Sequence, residues 1–306
     1  MNSINKHLGL VTKKFNEFFY VDVIDDKKGL TSNRFLCKTR KTIKYKNNFI
    51  FVGDRVLFSQ TKNTEKNQGV IEQLIKRKNL LDRPSVANIS DVYVTFAVKE
   101  PELDFSQLSK FLINAENLQV KISLILTKCD LISKKEQDLF LNKLEKWGYI
   151  THALKISESN GYNKLLQEFK TKECSLLMGP SGVGKTTILN KIIPTLENKT
   201  ASVSKKIKRG KNTTRNVELF SLSTNSYIVD TPGFNQQELE IDYLMIQNLF
   251  PEIYNQLRDA EIKCKFRNCL HISEPGCILN KDFERYQFYR LLVEQTKNSF
   301  HQSQED

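Results

Sequence analysis

Over the first eighty positions the apolar residues come in short runs. Phe18-Phe-Tyr-Val-Asp-Val-Ile24, Arg34-Phe-Leu-Cys37 and Arg55-Val-Leu-Phe58 have the length and composition of strands. Polar segments at 25–29, 46–48 and 62–69 divide them. Short strands between polar turns predict a small β-barrel or sandwich over residues 1–80, with Asp82-Arg-Pro-Ser85 as its exit. From about residue 90 the period changes. Strands are predicted at 91–98, 120–126, 149–156 and 173–178, and helices at 105–118, 134–147, 162–169 and 185–193. On the second of these helices Leu139, Phe140, Leu144 and Trp147 read as one apolar face. Strands alternating with helices predict a mostly parallel sheet covered on both sides. Tyr227–Val229 adds a strand, and 241–250 and 283–293 read as helical. The fold class is therefore multidomain α/β: a β-barrel at 1–80, an α/β domain at 81–238 and a helical domain at 239–306.

Composition narrows the classes. Lys and Arg total 47 against 35 Asp and Glu, a formal charge of +12. That surplus suits a polyanion such as RNA, and equally a Lys-rich solvated surface. With 19 Phe and 10 Tyr the chain can fill its cores, which excludes a disordered protein. The longest apolar run, Ile122-Ser-Leu-Ile-Leu126, is far below the ~18 residues of a bilayer span. No secretory signal is read in the first ten residues, so no membrane and a cytoplasmic location are expected. In that reducing compartment the cysteines crowded near the C-terminus read as a metal site rather than a disulfide framework.

The segment Gly179, Pro180, Ser181, Gly182, Val183, Gly184, Lys185, Thr186, Thr187 follows the apolar run Ser175–Met178 and opens a helical pattern. It matches the phosphate-binding loop G-x-x-x-x-G-K-[ST] in the context that motif requires. Glycines let backbone N–H groups turn around phosphate oxygens at a helix N-terminus. Lys185 is placed to reach the β/γ-phosphates and the Thr186 hydroxyl to bind Mg²⁺. Thr127-Lys128-Cys129-Asp130, directly after a strand, has the form of a guanine-reading motif: a carboxylate at Asp130 suits the N1–H and N2–H₂ donors of guanine, a pair that adenine lacks. A surface helix cap produces the same four residues, and Thr127 stands where Asn is more usual. Ile156-Ser157-Glu158 reads as the loop whose backbone N–H meets the guanine O6, although Glu158 departs from the usual Ala. Asp230-Thr-Pro-Gly233 matches the Asp-x-x-Gly element that contacts Mg²⁺ through water and the γ-phosphate through Gly233 N–H. A plain Pro-Gly turn is the alternative. Gly210-Lys-Asn-Thr213-Thr214, after the basic run 205–209, reads as a mobile loop offering a Thr213 hydroxyl to Mg²⁺.

These elements are complete but cyclically shifted. The base-reading motif precedes the phosphate loop, whereas an ordinary GTPase has the reverse order. A sheet tolerates the shift when the old termini lie together, and Asp230–Gly233 then leads straight into the C-terminal segment. There Cys264, Cys269, His271 and Cys277 form a Cys₃His set with the composition of a closed structural Zn²⁺ site. Free cysteines in a loop are the alternative. Lys263, Lys265, Arg267 and Arg258 make this region basic.

Taken with Val52-Gly-Asp-Arg-Val56, Asp82-Arg-Pro-Ser-Val-Ala-Asn88 and Phe234 after the Asp-x-x-Gly, these motifs resemble the RsgA (YjeQ or YloQ) family over nearly the whole chain. These are circularly permuted GTPases dependent on the small ribosomal subunit. The resemblance implies an N-terminal OB-fold, a permuted GTPase domain and a C-terminal zinc-binding helical domain. It implies GTP hydrolysis to GDP and phosphate, slow alone and stimulated by the small (30S) subunit and its rRNA during late maturation. Catalytic roles fall on Lys185, Thr213, Thr214, Asp230 and Gly233. GTP-binding roles fall on Thr127–Asp130, Ser157 and Gly179–Thr187. One structural Zn²⁺, Mg²⁺ with GTP (held by Thr186 and Thr213) and a monomer are expected. Phe15, Phe18, Phe19, Tyr20 and Phe35 are stacking or core residues of the barrel. Phe234 cannot orient water as Gln does in many GTPases, and Asn212 replaces a His common in relatives, so weak intrinsic hydrolysis is expected. Readings still open are a GTP-dependent RNA-binding switch with incidental hydrolysis and a metabolic P-loop ATPase. A zinc transcription protein lacks support, because no recognition-helix pattern accompanies the ligands.

Overall fold

Alternation in β2 (Phe18–Asp25) sends Phe19 and Val21 inward and leaves Phe18 and Tyr20 half-buried on the outside. The same rule, applied to β1 (Lys6–Phe15), β3 (Gly29–Thr39), β4 (Arg55–Gln60) and β5 (Gln68–Leu74), closes a five-stranded barrel in the order β1-β2-β3-β5-β4-β1. Val11, Phe19, Val21, Phe35, Cys37, Val56, Phe58 and Ile71 fill it. The structure, a computed structural model, describes residues 6–25, 29–40, 49–61, 67–82, 84–193, 217–230 and 241–302. Strands β1 and β5 were not predicted. Phe19 and Phe35 are core, whereas Phe15 is exposed. Lys38 lies 4.7 Å from the ring centroid of the outward Phe18, and Arg34 lies 5.9 Å from that of Tyr20.

A hairpin of β6 (Leu80–Asp82) and β7 (Ser85–Ala87) leads to the second unit. Its elements are β8 (Asp91–Ala97), α1 (Phe105–Glu116), β9 (Lys121–Thr127), a 3₁₀ turn at Cys129–Leu131, α2 (Lys134–Lys146) and β10 (Ile150–Ala153). Then come α3 (Ser159–Lys170), β11 (Cys174–Met178), α4 (Lys185–Ile192), β12 (Glu218–Ser223) and β13 (Ser226–Asp230). The strands order as β10-β9-β8-β11-β13-β12, parallel except for the antiparallel β12. β8 and β11 are buried at every position, as central parallel strands covered on both faces must be. Val92, Val94, Phe96, Leu176 and Met178 pack under α1 and α2, while Tyr93, Leu177 and Ile228 pack under α3 and α4. On α2, Phe140, Leu144 and Trp147 share the core face, but Leu139 is 60% exposed. The reason is angular: 140, 144 and 147 follow the i, i+4, i+7 rule, and position 139 lies about 100° off that stripe. Asp104 caps α1 by accepting from Ser106 and Gln107 N–H, and Ser133 with Glu136 forms a capping box on α2.

The barrel joins this sheet edge to edge. Lys13 of β1 pairs with Glu218 of β12, and their side chains form a 2.6 Å ion pair. The C-terminal region has a 3₁₀ helix at Tyr243–Leu249, then α5 (Pro251–Asp259) and α6 (Tyr286–Gln302). α5 was not predicted, and within the helical reading of 241–250 the helix is of 3₁₀ type and spans Tyr243–Leu249. Ile246, Leu249, Phe250, Ile253, Tyr289 and Val293 pack there against Ile113 of α1. Arg285 binds Glu252 at 2.6 Å, both side chains almost fully buried. The guanidinium carbon lies 4.8 Å from the Trp147 ring centroid and 4.9 Å from that of Phe250. Among the described residues, no helix is long and apolar enough to cross a membrane.

Replacing Arg285 with Met leaves the Glu252 carboxylate buried and alone. The expected loss is about 3–5 kcal/mol, measured by urea unfolding through the fluorescence of Trp147, the single tryptophan. A loss below about 1 kcal/mol, the value of an exposed pair, contradicts this reading.

Candidate nucleotide site and metal centre

Parallel strands present their carboxyl ends at one edge, where open α/β sheets take ligands. Here β11 runs into the Gly179–Thr187 loop and α4, and β9 runs into Lys128–Asp130. The loop holding Ser157 joins β10 to α3 at the same edge. Gly179 passes so close to β8 that a Cβ would stand 2.1 Å from the Thr95 carbonyl oxygen. Only glycine allows that exit. Gly184 caps α4 with a left-handed backbone, φ 98°, and the helix N-terminus behind it favours an anion. Val183 is fully buried and anchors the loop, while Ser181, Gly182 and Thr186 are exposed and Pro180 and Thr187 partly so. Lys185 Nζ donates to the carbonyls of Gly179 at 2.7 Å and Pro180 at 2.6 Å.

The base-reading motif touches this loop directly. Buried Thr127 donates its hydroxyl to the Val183 carbonyl at 2.6 Å. Thr127 therefore supplies a hydrogen bond between the two motifs. Lys128 takes a left-handed backbone (φ 57°) and its ammonium donates to the Glu100 carbonyl. Cys129 is buried with Sγ 3.3 Å from the Leu126 carbonyl. Burial pushes its thiol up to about 11, so it is a packed neutral group rather than a nucleophile. Asp130 is exposed, and its Oδ1 accepts the Ile156 N–H at 3.2 Å. On the other side of that residue Lys191 of α4 donates to the Ile156 carbonyl, its ammonium 4.4 Å from the Tyr162 ring centroid. Exposed Ser157 is thus next to a residue held by both Asp130 and Lys191. Lys191 carries no motif, and nothing in the sequence marks it. Asp230 ends β13, which lies parallel to β11 with Val229 opposite Leu176. Thr213, Thr214, Gly233, Asn212, Phe234 and the basic run 205–209 lie outside the described residues.

In the C-terminal region the ligand atoms of Cys264, Cys269, His271 and Cys277 all lie within 4.8 Å of one another. Tetrahedral zinc with Zn–S of ~2.3 Å sets its ligand atoms about 3.8 Å apart, so the four fit that ion. His271 Nδ1 stands 3.3 Å from Cys277 Sγ and 3.7 Å from Cys264 Sγ. Burial holds the imidazole below its ordinary value, in the neutral form a metal requires. The backbone around it is tied down: Tyr286 donates to the His271 carbonyl at 2.9 Å and Tyr289 to that of Leu270 at 2.6 Å. Glu274 accepts the N–H groups of Leu270, Ile272 and Ser273. The donor set supports a structural ion, since three thiolates and an imidazole fill a tetrahedron.

A phosphate loop on the central strand, a base-reading loop bonded to it from a strand earlier in the chain, and the β10-β9-β8-β11-β13-β12 order define a circularly permuted P-loop GTPase. The RsgA GTPase family profile matches residues 74–240. The small ribosomal subunit biogenesis GTPase RsgA of Prochlorococcus marinus (strain NATL2A) is 39% identical over 307 residues, 97% of each chain. The crystal structure of YjeQ from Thermotoga maritima superposes with a TM-score of 0.76 at 28% identity, covering 95% of this chain and 99% of that one. That of YloQ, a circularly permuted GTPase, does so at 0.77 with 23% identity and 98% of both chains, a likeness of fold. The chain belongs to the RsgA GTPase family.

Thr127→Val keeps the side-chain shape and removes the donor to Val183. The expected cost is about 1–2 kcal/mol, or 5- to 30-fold weaker guanine-nucleotide binding, read by titration with a fluorescent GDP. Unchanged affinity contradicts the link.

Proposed function

We propose that this protein binds Mg²⁺·GTP at the carboxyl edge of its permuted sheet. It hydrolyses the nucleotide to GDP and phosphate on the small ribosomal subunit during late maturation, with hydrolysis stimulated by that subunit. The observation that carries the nucleotide part is the Thr127–Val183 hydrogen bond, which makes one site of the two loops. In this reading Asp130 accepts from guanine N1–H and N2–H₂, with Ile156 N–H orienting one of its oxygens, and Ser157 N–H meets O6. Gly179–Thr187 wraps the phosphates and Thr186 binds the nucleotide's Mg²⁺, with Thr213. Lys185 exchanges two neutral carbonyls for phosphate oxygens, which are stronger acceptors because they carry charge. It then stabilises the charge that develops on the γ-phosphoryl group. Asp230, Gly233 and Thr214 sense that group. No general base is assigned, and hydrolysis in the free protein is expected to be slow, because Phe234 cannot orient water.

The ribosomal part is supported by the names of the relatives, by the charge of +12 and by the barrel's outer face, where Lys38 sits over Phe18 beside Tyr20, while Arg34 there is paired with Asp22. Aromatic rings with adjacent cations suit RNA bases and backbone. Three functional units at 1–80, 81–238 and 239–306, a monomeric state and a cytoplasmic location complete the proposal.

Multiple-turnover GTP hydrolysis titrated with purified small subunits is expected to rise at least tenfold and to fall steeply with added salt, because phosphate contacts release counterions. No stimulation supports the alternative, a GTP-dependent RNA-binding switch with incidental hydrolysis. Asp130→Asn is expected to weaken GTP binding by about 10- to 100-fold, the value of hydrogen bonds to a charged group, with ATP a poor competitor throughout. ATP competing on equal terms with GTP in the native protein overturns guanine recognition.

A further inference from the structure

His271 has two ring nitrogens, and only one faces the cysteines. The other, Nε2, lies 2.7 Å from Gln247 Oε1. An amide oxygen is an acceptor only, so this contact requires the proton on Nε2 and leaves the lone pair of Nδ1 directed at the thiols. The opposite tautomer would put a proton on the ligating nitrogen and lose the Gln247 bond together. The tyrosine contacts of α6 fix the backbone of residues 270–271; the ring orientation and tautomer rest on Gln247 among the described residues.

Gln247 is itself held. Its 3₁₀ helix is capped by Asp242, whose side chain accepts the Leu244 N–H at 2.9 Å. Its neighbours Ile246 and Leu249 are buried in the cluster that includes Ile113 of α1. This helix is the first described element after β13, the strand that ends at Asp230. The group contacting the His271 ring therefore comes from outside the Cys264–Cys277 loop, on an element braced by the GTPase sheet's own helix.

We propose that Gln247 is a positioning residue for the metal centre. By accepting from Nε2–H it selects the His271 tautomer that ligates through Nδ1, and it ties the metal loop to the chain segment downstream of Asp230. This rests on reading the four-residue cluster as a zinc site. Hydrogen-bond partners of ligating histidines typically carry a 10- to 100-fold effect on metal affinity.

The test uses the full chain. Zinc content is measured first, then Zn²⁺ affinity by competition with a chromogenic chelator, and the visible bands of the Co²⁺-loaded protein. Gln247→Leu, similar in size and unable to accept, is expected to bind Zn²⁺ 10- to 100-fold more weakly and to shift the Co²⁺ bands. Gln247→Glu restores an acceptor and is expected to stay within about threefold of the native affinity. Gln247→Asn, with its carbonyl withdrawn by one methylene, is expected to lose affinity as Leu does and serves if the Leu variant does not fold. Met245→Ala, at an exposed position on the same turn, is expected to change neither readout. Native affinity and native bands in the Leu and Asn variants overturn the proposal alone, as does equal weakening by Leu and Glu. A native chain that takes up no zinc overturns the metal reading and the proposal with it.

Discussion

The site depends on the parallel register of β9, β8 and β11. With Ala97 opposite Thr127 and Val94 opposite Met178, the base-reading and phosphate loops leave on the two sides of one buried strand at one edge. β8 also sets the spacing, because Gly179 packs against the Thr95 carbonyl and brings Val183 within reach of the Thr127 hydroxyl. A parallel sheet has no tight turns between neighbours. Its strands can therefore be visited in a rotated order without moving the carboxyl edge, and the permutation leaves the site's geometry intact.

What the permutation changes is where the chain goes next. The next described residues, from 241 on, pack on α1 and α2 rather than joining the sheet. The contact includes Ile113, Arg285, which lies between Glu252, Trp147 and Phe250, and Glu284, which accepts from Trp147 Nε1 at 3.1 Å and pairs with Lys143. A buried ion pair adds little net stability, but each partner makes the other costly to lose. Such a pair specifies how α5 and α6 sit against α2 more than how tightly they are held. The barrel, for its part, is joined by Lys13–Glu218 and by Glu173, which takes both Arg55 and Lys78. Leu10 and Val52 of the barrel are also buried in one cluster with Val86, Leu219 and Tyr227, so apolar packing joins the two units as well.

The metal loop shows the same division of labour on a smaller scale. Its four ligands lie within a short stretch of sequence, and Glu274 and the α6 tyrosines satisfy the backbone that the loop leaves unpaired. Buried N–H and carbonyl groups must find partners, and here some turn to backbone, as Lys265 N–H does to the Gly276 carbonyl, while others find side chains, because the loop lies outside the strands and helices. The His271 ring is the one ligand with a choice of donor atom, and its second nitrogen is met by a residue from another element.

Local order along the chain was enough to read the phosphate loop, the base-reading motif, the Cys₃His set and the alternating strands and helices, since each is a pattern over a few consecutive residues. Their rotated order was legible too. The strands β1 and β5 escaped because burial in a barrel comes from closure, which no local window contains. Leu139 was misplaced because composition, not helical angle, grouped it with Phe140. Thr127–Val183, Lys191–Ile156, Glu252–Arg285 and Gln247–His271 join positions far apart in the chain through ordinary residue types. Single polar side chains carry no periodicity, and their partners are set only when packed sheets and helices bring them within hydrogen-bonding distance.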